Sequence, residues 1–415
     1  MGFTCRSRVF ISTCLLIWSF SSLLITNKLM KTGKDKEETN IKNSMEIVEE
    51  PRRIVRGNYD FHGELIAVPD IDDEGADIFD PKPTNLNMDV GVGRHDRSHE
   101  FLIYDSVVVG PEFSSLSSSL GVTLTTQTSV DRLHWLPLVS GAWSGPVSVA
   151  VFVPDKEFDI CQAYISYLRS CYQPIRDNVL FSLVHPVQRP PRSARIDTTT
   201  WLQPCHHPED VLKSLTRQVF TREYAAWRTG YNYPQNHLRN IARQNSITYY
   251  TMSLDVDIIP SPGMAKHLSM FLNSNTCSKC AFVVPTYEIH DKADLPANKS
   301  ELLHLIKMLR AQPFHSKVFL HNQFATNFSQ YVLSYFFHKF QGFFSRFTRD
   351  QDDSVLHVSH NVTNYEFFYE PFYVSLDTAP AYDERFVGYG FTRNTQVGHC
   401  SSFSCVTNAS SRCMR

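Results

Sequence analysis

The chain has 415 residues, 42% hydrophobic and 13% aromatic, enough for one large or two ordinary domains with a packed core. Lys+Arg 40 against Asp+Glu 42 leaves a net charge of -2, with the signs interspersed, so no basic field argues for nucleic acid. Composition says globular and is silent about chemistry.

The N-terminus is more informative. Arg6 and Arg8 precede Val9–Ile25, an uncharged apolar run of 17 residues. That is the short end of the range for a spanning helix, about 17–25 residues. The expected arrangement is a cytoplasmic tail at 1–8 and a signal-anchor transmembrane helix at 9–25, with the rest of the chain lumenal. Lys28, Lys31, Lys34 and Lys36 follow the run and weaken the charge asymmetry. A cleaved signal peptide is therefore the rival reading. Residues 26–60 are a polar, charge-rich stem with no apolar period. Sequons at Asn298, Asn327, Asn361 and Asn408 suit a lumenal body. So do eight cysteines beyond the span. Cys277-x-x-Cys280 reads as a structural disulfide, either local or to Cys205; Cys161 and Cys171 share one helix at a separation too long to bridge each other.

Residues 61–142 are mixed, with strand-like runs "SVVVG" and "GVTLTTQTSV". From Trp143 the texture changes. "GPVSVAVFVP" is a β-branched run bounded by Gly and Pro and reads as a buried strand. "DKEFDICQAYISYLRSCY" has helical spacing, with Ile160, Tyr164, Tyr167, Leu168 and Cys171 on one face, and "NVLFSLVHP" is a second buried run. Strand, helix, strand implies an α/β domain with parallel strands. In "YNYPQNHLRNIARQNS", Pro234 starts a helix and Leu238, Ile241 and Ala242 form its packing stripe. The helix feeds the strand in "ITYYTMSLDVDIIP".

That strand delivers Asp255 and Asp257 to the carboxyl end of an open sheet, where such sheets bind ligands. Alternation along a strand projects both acids to one side. Two neighbouring carboxylates repel unless a cation offsets them, and Mn²⁺ or Mg²⁺ is typically held by one or two carboxylates plus substrate phosphates. A bare D-x-D is a weak signal: Asp70-Ile-Asp72 repeats the pattern in acidic, loop-like sequence. The chain lacks H-E-x-x-H and G-x-S-x-G, which disfavours a zinc protease and a serine hydrolase.

"NHLRNIAR", "LDVDIIP", "ATNF" (325–328), "YEPFYV" (369–374) and "YDERFVGYGF" (382–391) occur in that order. Together they resemble the glycosyltransferase family of the β-1,4-glucuronyltransferase of α-dystroglycan glycan synthesis. The second catalytic domain of the LARGE xylosyl- and glucuronyltransferases belongs to the same family. The resemblance runs from about Trp143 to Arg393. It implies a GT-A-like open mixed sheet with flanking helices over 143–393, a Golgi type II membrane protein, a UDP-sugar donor with glucuronic acid favoured, and a glycan or glycoprotein acceptor. Mn²⁺ (or Mg²⁺) is expected at Asp255 and Asp257, with an inverting transfer. Candidate general bases are Asp383, Glu370 and Glu384; an Asp383–Arg385 salt bridge is the structural alternative. Arg239 and Asn240 are expected to contact nucleotide or to brace the acid strand. Asn327 is a candidate sugar contact, although a glycan on its sequon would exclude it from a cleft. Gly388 and Gly390 would allow close approach of backbone to ligand. Homo-oligomerisation stays open.

The chain departs from the family pattern at two points. Thr392 stands where the family carries Asn, and residues 394–415 are a Cys/Ser-rich tail unlike a core strand. The family's own ending supplies a metal-binding His; in this tail His399 reads as a loop residue. The competing reading is therefore a catalytically impaired member acting as a lumenal binding or chaperone-like protein. A secreted carbohydrate-binding protein comes third.

Overall fold

The computed structural model describes residues 88, 90–197, 205, 207–275, 277, 280–332, 356–362, 367–388, 390 and 392–397, with the backbone of 411–414. The expected tail, anchor and stem, Asp70-Ile-Asp72, Asn408 and His399 lie outside the described residues. Among the described residues no helix is long and apolar enough to cross a membrane.

In chain order the first elements are β1 (Arg94–His95), β2 (Phe101–Val109), α1 (Phe113–Leu120) and β3 (Val122–Ser129). A 3₁₀ turn (Val130–Trp135), α2 (Leu136–Trp143), β4 (Val147–Phe152), α3 (Glu157–Cys171), α4 (Gln173–Asn178) and β5 (Val179–Pro186) follow. Then come α5 (Pro208–Val219), α6 (Arg222–Gly230), α7 (Gln235–Gln244), β6 (Tyr250–Asp255) and α8 (Met264–Ser274). The chain continues through β7 (Ala281–Val283), β8 (Tyr287–Ile289), α9 (Lys299–Lys307), β9 (Ala311–Pro313), β10 (Val358–Val362), β11 (Tyr373–Leu376) and β12 (Ser411–Met414).

Ten of the described strands form one mixed sheet in the order β1-β2-β5-β4-β3-β6-β11-β7-β12-β10, and β8 pairs with β9 alone. β5, β4, β3 and β6 run parallel, so their carboxyl ends share one edge. β2 and β11 flank this group antiparallel. The runs read as buried strands are β4 and β5, and every residue in them is buried. Val147, Val149 and Val151 of β4 pack in one apolar cluster with Ile160, Tyr164 and Leu168 of α3. The alternate residues Ala150 and Phe152 pack on the opposite face with Leu238, Ile241 and Ala242 of α7. Helices on both faces explain the unbroken apolar runs. Each fully buried Val, Leu, Ile or Phe contributes roughly 1.5–3 kcal/mol.

The sheet extends toward the N-terminus past Trp143, since β3 lies between β4 and β6. The tail departs from its sequence reading, because 411–414 do form a strand. β12 pairs parallel with β7 (Arg412↔Phe282) and antiparallel with β10 (His360↔Cys413). Ladder bonds use main-chain groups that every non-proline residue carries, so the lack of apolar alternation does not bar a strand. Cys171 bonds to Cys205 and Cys277 to Cys280, whereas Cys161 is buried and unpaired.

Candidate active site

Asp255 is the last residue of β6, level with Gln127 in parallel β3. Three donors converge on its Oδ1: Arg239 Nη2 at 3.0 Å, Arg393 Nη2 at 3.1 Å and Gln127 Nε2 at 3.4 Å. The Tyr233 hydroxyl donates to Gln127 Oε1 and so leaves the Gln127 amide nitrogen facing the acid. Both arginine side chains are 4% exposed, against 29% for Asp255. Burial opposes the charge on Asp255, but Arg393 and Arg239 outweigh it and hold the pKa at about 2. Burial likewise opposes the charge on Arg393, whose pKa is nonetheless raised, chiefly by Asp255. Asp255 Oδ2 receives no hydrogen bond from the described residues.

Asp257 corrects the reading by alternation. β6 stops at Asp255 and the chain turns, with the Ile258 N–H donating to the Asp255 carbonyl at 2.9 Å. The two-residue period ends where the ladder ends, so strand geometry does not place the acids on one side. Asp257 Oδ2 accepts from Arg132 Nη1 at 3.2 Å, an arginine on the 3₁₀ turn after β3 with a 57% exposed side chain. Guanidinium groups thus offset much of the charge that the sequence reading gave to a metal. Among the described residues no group of three His, Cys, Asp or Glu forms a metal site. Two carboxylates, one of them with an oxygen that takes no hydrogen bond from the described residues, are hard-oxygen donors that fit Mn²⁺ or Mg²⁺ arriving with a diphosphate. They do not make an all-protein cage.

α7 braces this edge. Asn236, His237, Arg239, Asn240 and Arg243 are buried on it, although only its apolar stripe is legible as core. Arg239 Nη1 reaches Asn236 Oδ1 at 3.2 Å and the Thr392 hydroxyl at 3.1 Å, so Thr392 joins the brace through its hydroxyl. Asn236 Nδ2 donates to the carbonyls of Asp383 (2.8 Å) and Thr392 (3.1 Å). Arg243 donates to the carbonyls of Asp377, Ala379 and Pro380 at 2.9–3.1 Å. Asn240 Nδ2 donates to the Tyr382 carbonyl and Glu384 Oε1, while its Oδ1 accepts from the Tyr382 N–H. Arg239 and Asn240 are therefore placed as braces. Residues 236, 239, 240 and 243 fall at helical spacing on one face. A polar stripe opposite an apolar one was the signal available for the missed Asn236 and Arg243.

The candidate bases separate. Glu370 precedes β11, the antiparallel neighbour of β6. Its N–H donates to the Asn322 carbonyl at 2.9 Å, and its Oε2 accepts from Asn322 Nδ2 at 3.2 Å. Its charge acts on Arg393, which ties it to the Asp255 cluster. Asp383 forms the alternative salt bridge, with Arg385 Nη2 at 2.6 Å, and Arg385 is 83% exposed. Glu384 binds Asn240 at 2.8 Å and lies 3.9 Å from His237 Nε2. Asn327 is exposed and its side chain closes a local turn with Gln330. Gly388 (φ 90) and Gly390 (φ 93) have positive φ, which favours glycine; the Gly388 N–H bonds to the Tyr233 carbonyl at 3.0 Å, and space beside Gly390 is open. Arg393, Arg132 and Gln127 are site residues that the sequence reading did not select.

A mixed α/β sheet with acids and arginines gathered beyond its parallel strand ends defines an α/β protein with its site at the usual ligand-binding edge. Residues 121–402 match the model of the family described as glycosyl-transferase for dystroglycan, and the chain belongs to that family. It is 32% identical over 281 residues to human beta-1,4-glucuronyltransferase 1, covering 66% of this chain and 62% of the relative. The Danio rerio protein of that name is 27% identical over 344 residues, 79% and 76% of the respective chains. Xylosyl- and glucuronyltransferase LARGE2s of Gallus gallus is 24% identical over 290 residues, 69% and 30% of the respective chains. The chain thus spans 62% of the length of the human relative.

Proposed function

We propose that the protein is a GT-A-like, metal-dependent inverting glycosyltransferase that moves a sugar from a UDP-sugar donor to a glycan hydroxyl. The observation that carries this reading is Asp255, kept ionised at the end of β6 with an oxygen open to a ligand, in a chain of this family. The relatives' names favour a glucuronosyl donor.

Asp255 through Oδ2, together with Asp257, would hold Mn²⁺ or Mg²⁺. When bound, the ion would offset the charge on the departing diphosphate. Arg132, exposed beside Asp257, is placed to exchange its carboxylate partner for a phosphate oxygen. Arg239 and Arg393 fix the orientation of Asp255 from opposite ends of the sequence segment. Glu370 takes the proton from the acceptor hydroxyl as that oxygen attacks; inversion in one displacement needs one such base. Asn322 steadies Glu370 through Oε2. Location in the Golgi as a single-pass type II protein is supported by the apolar run at 9–25, and by the exposure of Asn298, Asn327 and Asn361 in their sequons.

The test is a donor-hydrolysis screen of the purified lumenal body against several UDP-sugars, with and without Mn²⁺. Metal-stimulated turnover of one donor is the expected result. No turnover of any donor under either condition would favour the catalytically impaired binding or chaperone-like alternative, which the arginine compensation of both acids also supports.

A further inference from the structure

Two loops beside Glu370 expose aromatic rings. Phe319 is 39% exposed, Phe367 68% and Phe368 40%. Phe319 meets Phe368 edge-on with ring centroids 5.4 Å apart, and Phe367 meets Phe368 at 5.4 Å. Hydrogen bonds fasten these loops together. The Asn322 N–H donates to the Phe319 carbonyl at 3.1 Å, the Glu370 N–H to the Asn322 carbonyl at 2.9 Å, and Gln323 Nε2 to the Glu370 carbonyl at 2.7 Å. Asn394 Nδ2 donates to the Phe367 carbonyl at 3.0 Å.

Neighbouring residues of the chain link the patch to the acid site. Arg393, which grips Asp255, precedes Asn394 and lies 4.3 Å above the ring of Phe372. Phe368 stands two residues before Glu370, at most about 7 Å along an extended chain, a span comparable to one monosaccharide. Asn322 is buried, steadies Glu370 and leaves its own Oδ1 without a donor. Exposed aromatic faces near a carboxylate match a pyranose, which offers an apolar C–H face rimmed by hydroxyls. A purely apolar partner would strip water from the Glu370 carboxylate, which Asn322 Nδ2 contacts through one oxygen.

We infer that Phe319, Phe367 and Phe368 form an acceptor subsite on which a neutral sugar ring stacks, with its reacting hydroxyl directed toward Glu370. This rests on the glycosyltransferase reading above and assigns the acceptor side of that site.

The experiment is saturation-transfer NMR on the full chain with xylobiose, cellobiose, lactose and mannobiose, with UDP binding measured by calorimetry on the same preparations in the presence of Mn²⁺. At least one disaccharide is expected to show saturation concentrated on the C–H protons of one ring face. Phe367→Ser and Phe319→Ser should each weaken that binding about tenfold. Phe367→Tyr, which keeps the aromatic face, should stay within about twofold of the parent, and circular dichroism should show all three variants folded. Two results overturn the subsite: no disaccharide binds while UDP does, or the serine variants bind as the parent does. Self-association in sedimentation velocity that Phe367→Ser abolishes would assign the patch to a second copy and also overturn it. Failure of the glycosyltransferase reading shows separately, as no binding of UDP to the parent chain.

Discussion

Two carboxylates at the same edge of the sheet differ in kind. Asp255 ends β6 and is pushed down to about 2, because two buried guanidiniums and an amide meet on one of its oxygens and outweigh burial. Glu157, in the first turn of α3 just beyond β4, is 3% exposed, with Arg228 Nε at 3.1 Å and the Tyr224 hydroxyl at 2.9 Å. Its second oxygen has no partner among the described residues, and burial lifts its pKa to about 7 despite Arg228. One arginine does not offset full desolvation, whereas two arginines and some solvent do. The first arrangement keeps a carboxylate ionised, with one oxygen that takes no hydrogen bond from the described residues; the second is a structural carboxylate that titrates near neutrality.

The comparison can be broken most forcefully at Arg393. Arg393→Met leaves Asp255 with a single guanidinium and should cost about 3–5 kcal/mol of stability, read by chemical denaturation. A loss no larger than that of an average surface change would contradict the clamp.

Glu157 gives the next largest effect. Its folded pKa of about 7 lies above the ordinary 4.5, so the folded state binds the extra proton between those values. Stability should therefore fall by roughly 3 kcal/mol as pH rises from 4.5 to 7 and then level off. Glu157→Gln should remove this part of the slope in melts across that window.

Asp255 has the opposite sign. Its folded pKa of about 2 lies below the ordinary 3.8, so its contribution is complete above pH 3.8 and is lost as pH falls through about 2. The amount is roughly 2 kcal/mol, measured as the difference in acid unfolding between the parent and Asp255→Asn. The smallest effect belongs to Arg385→Met. Arg385 is largely in solvent, and the less exposed Asp383 carboxylate keeps the main-chain N–H of residue 385, so the loss in melts should be no larger than that of an average surface change.

The same contrast explains what could be read from sequence. β4, β5, α3 and the apolar stripe of α7 were legible because burial against two faces or one leaves a local pattern that periodicity detects. The position of Asp255 at a strand end followed from the run before it. The clamp did not, since Arg393 is 138 residues from Asp255 and Gln127 is 128 residues away, and no local pattern encodes such pairings. Asp257 was misjudged because it lies two residues past the end of the ladder, and a strand run does not announce where the chain begins to turn. The Asp383–Arg385 pair was legible as an alternative because it is local.

The central claim is that Asp255 and Asp257 hold a divalent ion together with a nucleotide diphosphate. Its most direct test is calorimetry of UDP binding with and without Mn²⁺, on the parent and on Asp257→Asn. The expected result is Mn²⁺-dependent UDP binding by the parent that Asp257→Asn abolishes while its melting curve is unchanged. UDP binding that ignores Mn²⁺, or that survives in Asp257→Asn, would contradict the account.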